Sequence, residues 1–183
     1  MSKTANKRKD LTPLQPVLNS GVSFARLTSD TGSLTKVFSL TAEGTLHKET
    51  VAILSKGSVE NLHLPDFDGF LEVLPTLQPS QALTYGISLS GDGLIYSKER
   101  WLELGKPAGT WPRNQEHFGW PKGGGILMLD YDPPKQGDPM GREALLESLY
   151  GVVPSLREAA HAWWPSASSC IVNSDTSEAL TGV

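Results

Sequence analysis

Cysteine is almost missing from this chain: Cys170 is the single one among 183 residues. One thiol excludes an intramolecular disulfide and a cysteine-built zinc cluster, and it fits a reducing, cytoplasmic compartment, with Cys170 read as a small buried residue. Long hydrophobic runs are missing too. No stretch approaches the ~20 apolar residues that a membrane helix needs, and the basic start is not followed by the apolar core of a secretory signal. A soluble chain with no membrane partner is therefore expected. A large excess of one charge is also lacking, since 16 Lys and Arg stand against 20 Asp and Glu for a formal net charge of -4. That balance argues against coating nucleic acid through bulk electrostatics and leaves the task to local patches. Lys3, Lys7, Arg8 and Lys9 form one such patch, read as a flexible basic tail over residues 1–16 that either helps solubility or touches phosphates.

What is present suits one domain over residues 17–183, long enough for a sizeable core. The first half reads as β-rich. Val37–Leu40 and Thr50–Leu54 are expected strands around the Glu43-Gly44 turn, and Asp30-Thr31-Gly32 is another turn signal. Between Leu62 and Leu74 the apolar residues approach helical spacing, and Pro65-Asp66 suits a helix start, so Asp66 and Asp68 read as first-turn acids. Gln81–Ile87 is an expected short strand. Trp101–Trp120 reads as a loop cut by prolines and glycines, whose Arg113, Glu116, His117 and Trp120 either approach a nucleotide or fasten the loop to the core.

The most informative segment is Gly123-Gly124-Gly125-Ile126-Leu127-Met128-Leu129-Asp130-Tyr131-Asp132-Pro133-Pro134. Four bulky apolar residues entered through glycines and left through prolines predict a buried strand ending at a rim. Side chains two apart on a strand share a face, so Asp130 and Asp132 would stand side by side. Their repulsion is relieved by a cation, and a hard ion such as Mg2+ or Mn2+ takes one or two carboxylates together with water and phosphate oxygens. Lys122 with the three glycines reads as a turn and a possible phosphate contact, without the order of a P-loop. Downstream, Gly141–Tyr150 predicts a short amphipathic helix and Ala159–Trp164 a returning strand that carries His161 as a sheet histidine and at least one of Trp163 and Trp164 as core. The turn after it offers the hydroxyls of Ser166, Ser168 and Ser169 for phosphate or sugar contacts, or as ordinary loop chemistry. The expected fold class is α+β, a mixed sheet with a β-rich N-terminal region and a strand-helix-strand unit carrying D-x-D.

The β-rich beginning, Phe118-Gly119-Trp120-Pro121-Lys122-Gly123-Gly124-Gly125 leading to Asp130 and Asp132, the short helix, and Trp164-Pro165-Ser166-Ala167-Ser168-Ser169 together resemble the archaeo-eukaryotic primase-polymerase superfamily. The likeness is to the branch at the N-terminus of replication proteins of plasmids, phages and integrated elements, and it covers roughly the last two thirds of the chain. The resemblance implies Asp130 and Asp132 as catalytic metal ligands for Mg2+ or Mn2+, and a nucleoside triphosphate and a DNA template as partners. A helicase domain would follow in a longer natural protein. The family's second motif, built on a histidine, and its third, another acid, are expected beyond the point where the chain stops at Leu180-Thr181-Gly182-Val183. The expectation is thus a C-terminally incomplete domain, inactive in nucleotidyl transfer by itself. Alternatives are a nucleotide- or DNA-binding module that has lost catalysis, a nucleotide-sugar glycosyltransferase with its own D-x-D, and a structural α/β domain.

Overall fold

Val22 to Ser29 alternates its burial with the period of a strand, Phe24 on one side and Ala25 and Leu27 on the other, and this stretch is β1 (Val22–Ser29). In the computed structural model, which describes residues 21–50, 53–132, 138–164, 171–173 and 175–178, β1 is the axis of the fold. After it come β2 (Lys36–Leu40) and β3 (Leu46–Thr50), an antiparallel ribbon closed by the turn at Glu43-Gly44. β4 (Lys56–Leu64) then returns antiparallel to β1 along its whole length, Val22 facing Leu64 and Ser29 facing Gly57. Helix α1 (Phe67–Val73) follows, then β5 (Gln81–Thr84), β6 (Ile87–Ser88) and β7 (Gly93–Tyr96). Helix α2 (Lys98–Glu103) leads to β8 (Thr110–Pro112), β9 (Phe118–Gly119), β10 (Gly124–Gly125) and α3 (Arg142–Val152).

These strands make a mixed six-stranded sheet, with β10 parallel to β1 and β8 parallel to β7 and the remaining pairs antiparallel. β6 and β9 pair separately, Ile87 opposite Gly119. Because strand side chains alternate, β1 feeds two cores. On one face Phe24, fully buried, meets Phe70 of α1 edge-on at 5.1 Å between ring centroids, and Ile126 closes the cluster. On the other face Ala25, Leu27, Val59 and Ile95 are covered by Leu54, with Leu34, Trp111 and Phe118 at the margin. Each fully buried large side chain contributes about 1.5–3 kcal/mol relative to exposure. The fold is therefore α+β with a mixed sheet.

Several elements fall where the sequence pattern placed them. The Val37–Leu40 strand, the helix after Pro65 and the helix after Gly141 are all present. Asp66 caps α1, its Oδ1 accepting the Gly69 amide at 2.9 Å, and Asp68 sits in the first turn, so the second D-x-D is helix-start chemistry. The strand expected at Thr50–Leu54 lies earlier, at Leu46–Thr50, with residues 51 and 52 outside the described residues. The expected loop from Trp101 to Trp120 contains the end of α2 and the strands β8 and β9.

Two expected strands are absent from their places. The glycine-led segment pairs with β1 only at Gly124 and Gly125, and residues 126–132 belong to no strand. The reason is competition for one edge: β5 occupies β1 from Ala25 to Thr28, leaving only Phe24 between it and the two residues that β10 uses. Ile126 still buries itself beneath Phe24, but Leu127, Met128 and Leu129 are 66%, 55% and 56% exposed. Ala159–Trp164 also forms no strand. Arg157 bonds Glu147 of α3 at 2.7 Å and its guanidinium covers the Tyr150 ring at 4.6 Å, which folds the chain back on α3. His161 follows this turn and lies near Tyr150, not in a sheet, while Trp163 and Trp164 are both exposed. No residue of α3 is buried, so the helix does not carry the chain across the sheet in a strand-helix-strand unit.

Candidate functional site

The loop that delivers the acidic pair is set by close backbone approach. Trp120-Pro121 leaves β9, turns through Lys122 and Gly123, and lays Gly124 and Gly125 beside Val22 and Ser23. A Cβ at Gly125 would stand 2.9 Å from Pro121 Cγ, so the turn closes only around a residue without a side chain. Ile126 then inserts into the Phe24 and Phe70 cluster and anchors the segment. Beyond the anchor the chain leaves the sheet, and Asp130 and Asp132 stand exposed. Tyr131 between them accepts a hydrogen bond from the Met140 amide at 2.9 Å, tying the acidic stretch to the approach to α3.

Asp130 lies close enough to Tyr85 to act on its phenol. Burial of the hydroxyl is the larger cause holding the Tyr85 pKa above its ordinary value, and the negative charge of Asp130 adds to it. Tyr85 itself packs at the margin of the Phe24 core. Neither aspartate forms an ion pair with a lysine or arginine among the described residues. The described residues also bring no group of three histidine, cysteine or acidic side chains together.

Lys122 faces a different space. A cleft of about 580 Å³ opens between the β6–β9 pair and the end of the main sheet. Its walls are Gly21, Ser23, His63, Ile87, Leu89 and the run Trp120 to Gly124, and neither Asp130 nor Asp132 is among them. Ser23 and His63 face each other across the β1–β4 ladder, with Ser23 Oγ 2.8 Å from His63 Nδ1. Trp120 at the mouth is 68% exposed. The structure thus brings Lys122 together with Trp120 and His63, and separates it from the acidic pair. Ser166, Ser168 and Ser169 lie outside the described residues, as do Cys170 and the basic residues of the tail.

Sequence reasoning missed His63 and Ser23, which become neighbours only through the register of β4 on β1. It also missed Tyr85, whose position beside Asp130 depends on β5 taking the edge of β1. No family model matches the chain, and neither curated proteins nor solved structures give a match. No helix among the described residues is long and apolar enough to cross a membrane.

Proposed function

We propose that this chain is a metal-dependent nucleotide-binding domain of the primase-polymerase kind, serving a DNA replication protein, with Asp130 and Asp132 as the metal ligands. The observation that supports the reading best is the placement of two exposed carboxylates, without a basic partner among the described residues, on a segment anchored to the central strand through Gly124, Gly125 and Ile126. Such a donor set fits a hard divalent ion. Mg2+ or Mn2+ fills its remaining positions with water and substrate phosphate oxygens and would neutralise a triphosphate there. The chain's own contribution is to expose the two acids and to keep their backbone tied down on both sides, by Ile126 and by the Tyr131 bond to Met140.

A second reading, binding without nucleotidyl transfer, is favoured by one observation. Among the described residues no third metal-ligating side chain joins the pair. Calorimetric titration of Mn2+ with a deoxynucleoside triphosphate tests the proposal. The parent should bind, and a folded Asp130→Asn, Asp132→Asn double variant should lose binding. Equal binding by both would remove the acidic pair from the site. A primer-extension assay on the same protein separates binding alone from transfer.

A further inference from the structure

The cleft around Trp120 carries chemistry that the acidic pair does not use. Trp120 is the most exposed tryptophan among the described residues, at 68%. Its position is nevertheless constrained: Gly119 before it is held in the β9 ladder against Ile87, and Pro121 after it restricts the backbone of Trp120 itself. An apolar ring at a cleft mouth loses water favourably when a flat partner stacks on it, and an indole has only two side-chain torsions to fix. Two residues on, Lys122 is exposed on the same wall, and the Gly123 backbone beside it is open, with no heavy atom within 4 Å of where a Cβ would stand. Across the cleft stands His63, held by Ser23 at 2.8 Å. The cleft volume of about 580 Å³ is that of a small-ligand site.

We infer that this cleft binds single-stranded nucleic acid, with one base stacked on Trp120 and the adjoining phosphate at Lys122 and the Gly123 amide. A platform ring with a cation two residues along the chain matches the base-then-phosphate repeat of a single strand, whereas a duplex keeps its base faces stacked internally. Lys122 is the only lysine or arginine on the cleft walls among the described residues, and the chain carries a net charge of -4, so stacking contributes more here than charge. The inference is independent of the metal reading, because neither aspartate lines the cleft.

Fluorescence anisotropy of a labelled oligothymidylate, on the order of ten nucleotides to suit the usual site size, tests this in EDTA and low salt. The parent protein should bind. Trp120→Ala should weaken binding roughly 5- to 150-fold, the range for losing one base–aromatic stack, while Trp120→Phe keeps most of it. Lys122→Ala should reduce the slope of log affinity against log salt by about 0.7, the value for one single-strand phosphate contact. The assay runs in EDTA, so failure of the metal reading leaves this result untouched. Absence of binding by the parent, or equal binding by a folded Trp120→Ala protein, overturns the inference. Competition by a free nucleotide at the oligonucleotide's own affinity overturns the single-strand assignment.

Discussion

Ile126 and the three residues after it are equally apolar in the sequence and unequally placed in the structure, which makes alanine substitution along this run a sharp test. Ile126 is 6% exposed and packs in one buried cluster with Phe24 and Phe70. Removing its side chain beyond Cβ forfeits most of a burial contribution of about 1.5–3 kcal/mol and leaves a cavity in a two-ring cluster, so Ile126→Ala should cost about 2–5 kcal/mol. Ile126→Val, which deletes one methyl group, should cost about 0.5–1.5 kcal/mol. Leu127 and Leu129 keep only a third to a half of their surface covered, and on the same scale each alanine substitution should cost about 1 kcal/mol or less. Urea unfolding followed by circular dichroism reads these differences as shifts of the midpoint at constant slope. If Leu127→Ala or Leu129→Ala destabilises as strongly as Ile126→Ala, the run is a buried strand continuing past Gly125, and the competition between β5 and β10 for one edge of β1 is refuted.

Spectrophotometric titration should show Tyr85 ionising above its ordinary value of 10.0, and Asp130→Asn should lower that pKa without restoring it, since burial is the larger cause. A raised folded-state pKa means the stabilisation is fully present below the unfolded value and is lost as pH rises through the folded one, so Tyr85 should make stability fall only in the alkaline range. Gly57→Ala should destabilise by about 1–3 kcal/mol, because its Cβ would press on the backbone oxygen of Thr28 and stand 2.9 Å from Leu54 Cδ1. Gly123→Ala, in open space, should stay within about 0.5 kcal/mol in the same unfolding assay. Asp66→Ala should cost about 1 kcal/mol through loss of the α1 cap, measured by thermal or urea unfolding. An unchanged midpoint would show that the cap bond to Gly69 contributes nothing.

What was legible in the sequence was local. Pro65-Asp66 announces α1 because Asp66 is the N-cap, its carboxylate accepting the Gly69 amide, with Pro65 just outside the helix, and both facts hold within five residues. The Glu43-Gly44 turn likewise fixes the β2–β3 ribbon, with Gly44 at φ 77° where other residues are strained. The Asp130 segment failed for the opposite reason. Its apolar run satisfies the pattern of a buried strand, yet a strand needs a free edge, and β5, some forty residues earlier in the chain, takes that edge first. β4 went unread because Lys56-Gly57-Ser58-Val59-Glu60-Asn61 mixes charges and a glycine into a strand that is central in the sheet.

The same edge competition explains why the two candidate functions separate in space. Had the glycine-led segment run on along β1, Lys122 and the aspartates would have stood at the two ends of one strand. Instead β10 is two residues long, and the chain on either side of it goes to different neighbours. Before it, Trp120 and Lys122 turn toward His63 and the β6–β9 pair. After it, Ile126 drops into the Phe24 cluster and Asp130 comes up beside Tyr85. Gly125 joins the two, since a Cβ on it would press on Pro121 in the turn and its pairing with Ser23 sets the register of Ile126. A strand binding at Trp120 and a metal–nucleotide binding at Asp130 would therefore be joined through the nine residues of backbone between them, 121–129, and not through a shared cavity. Substitution at the joint, not at either site, is the change that should disturb both.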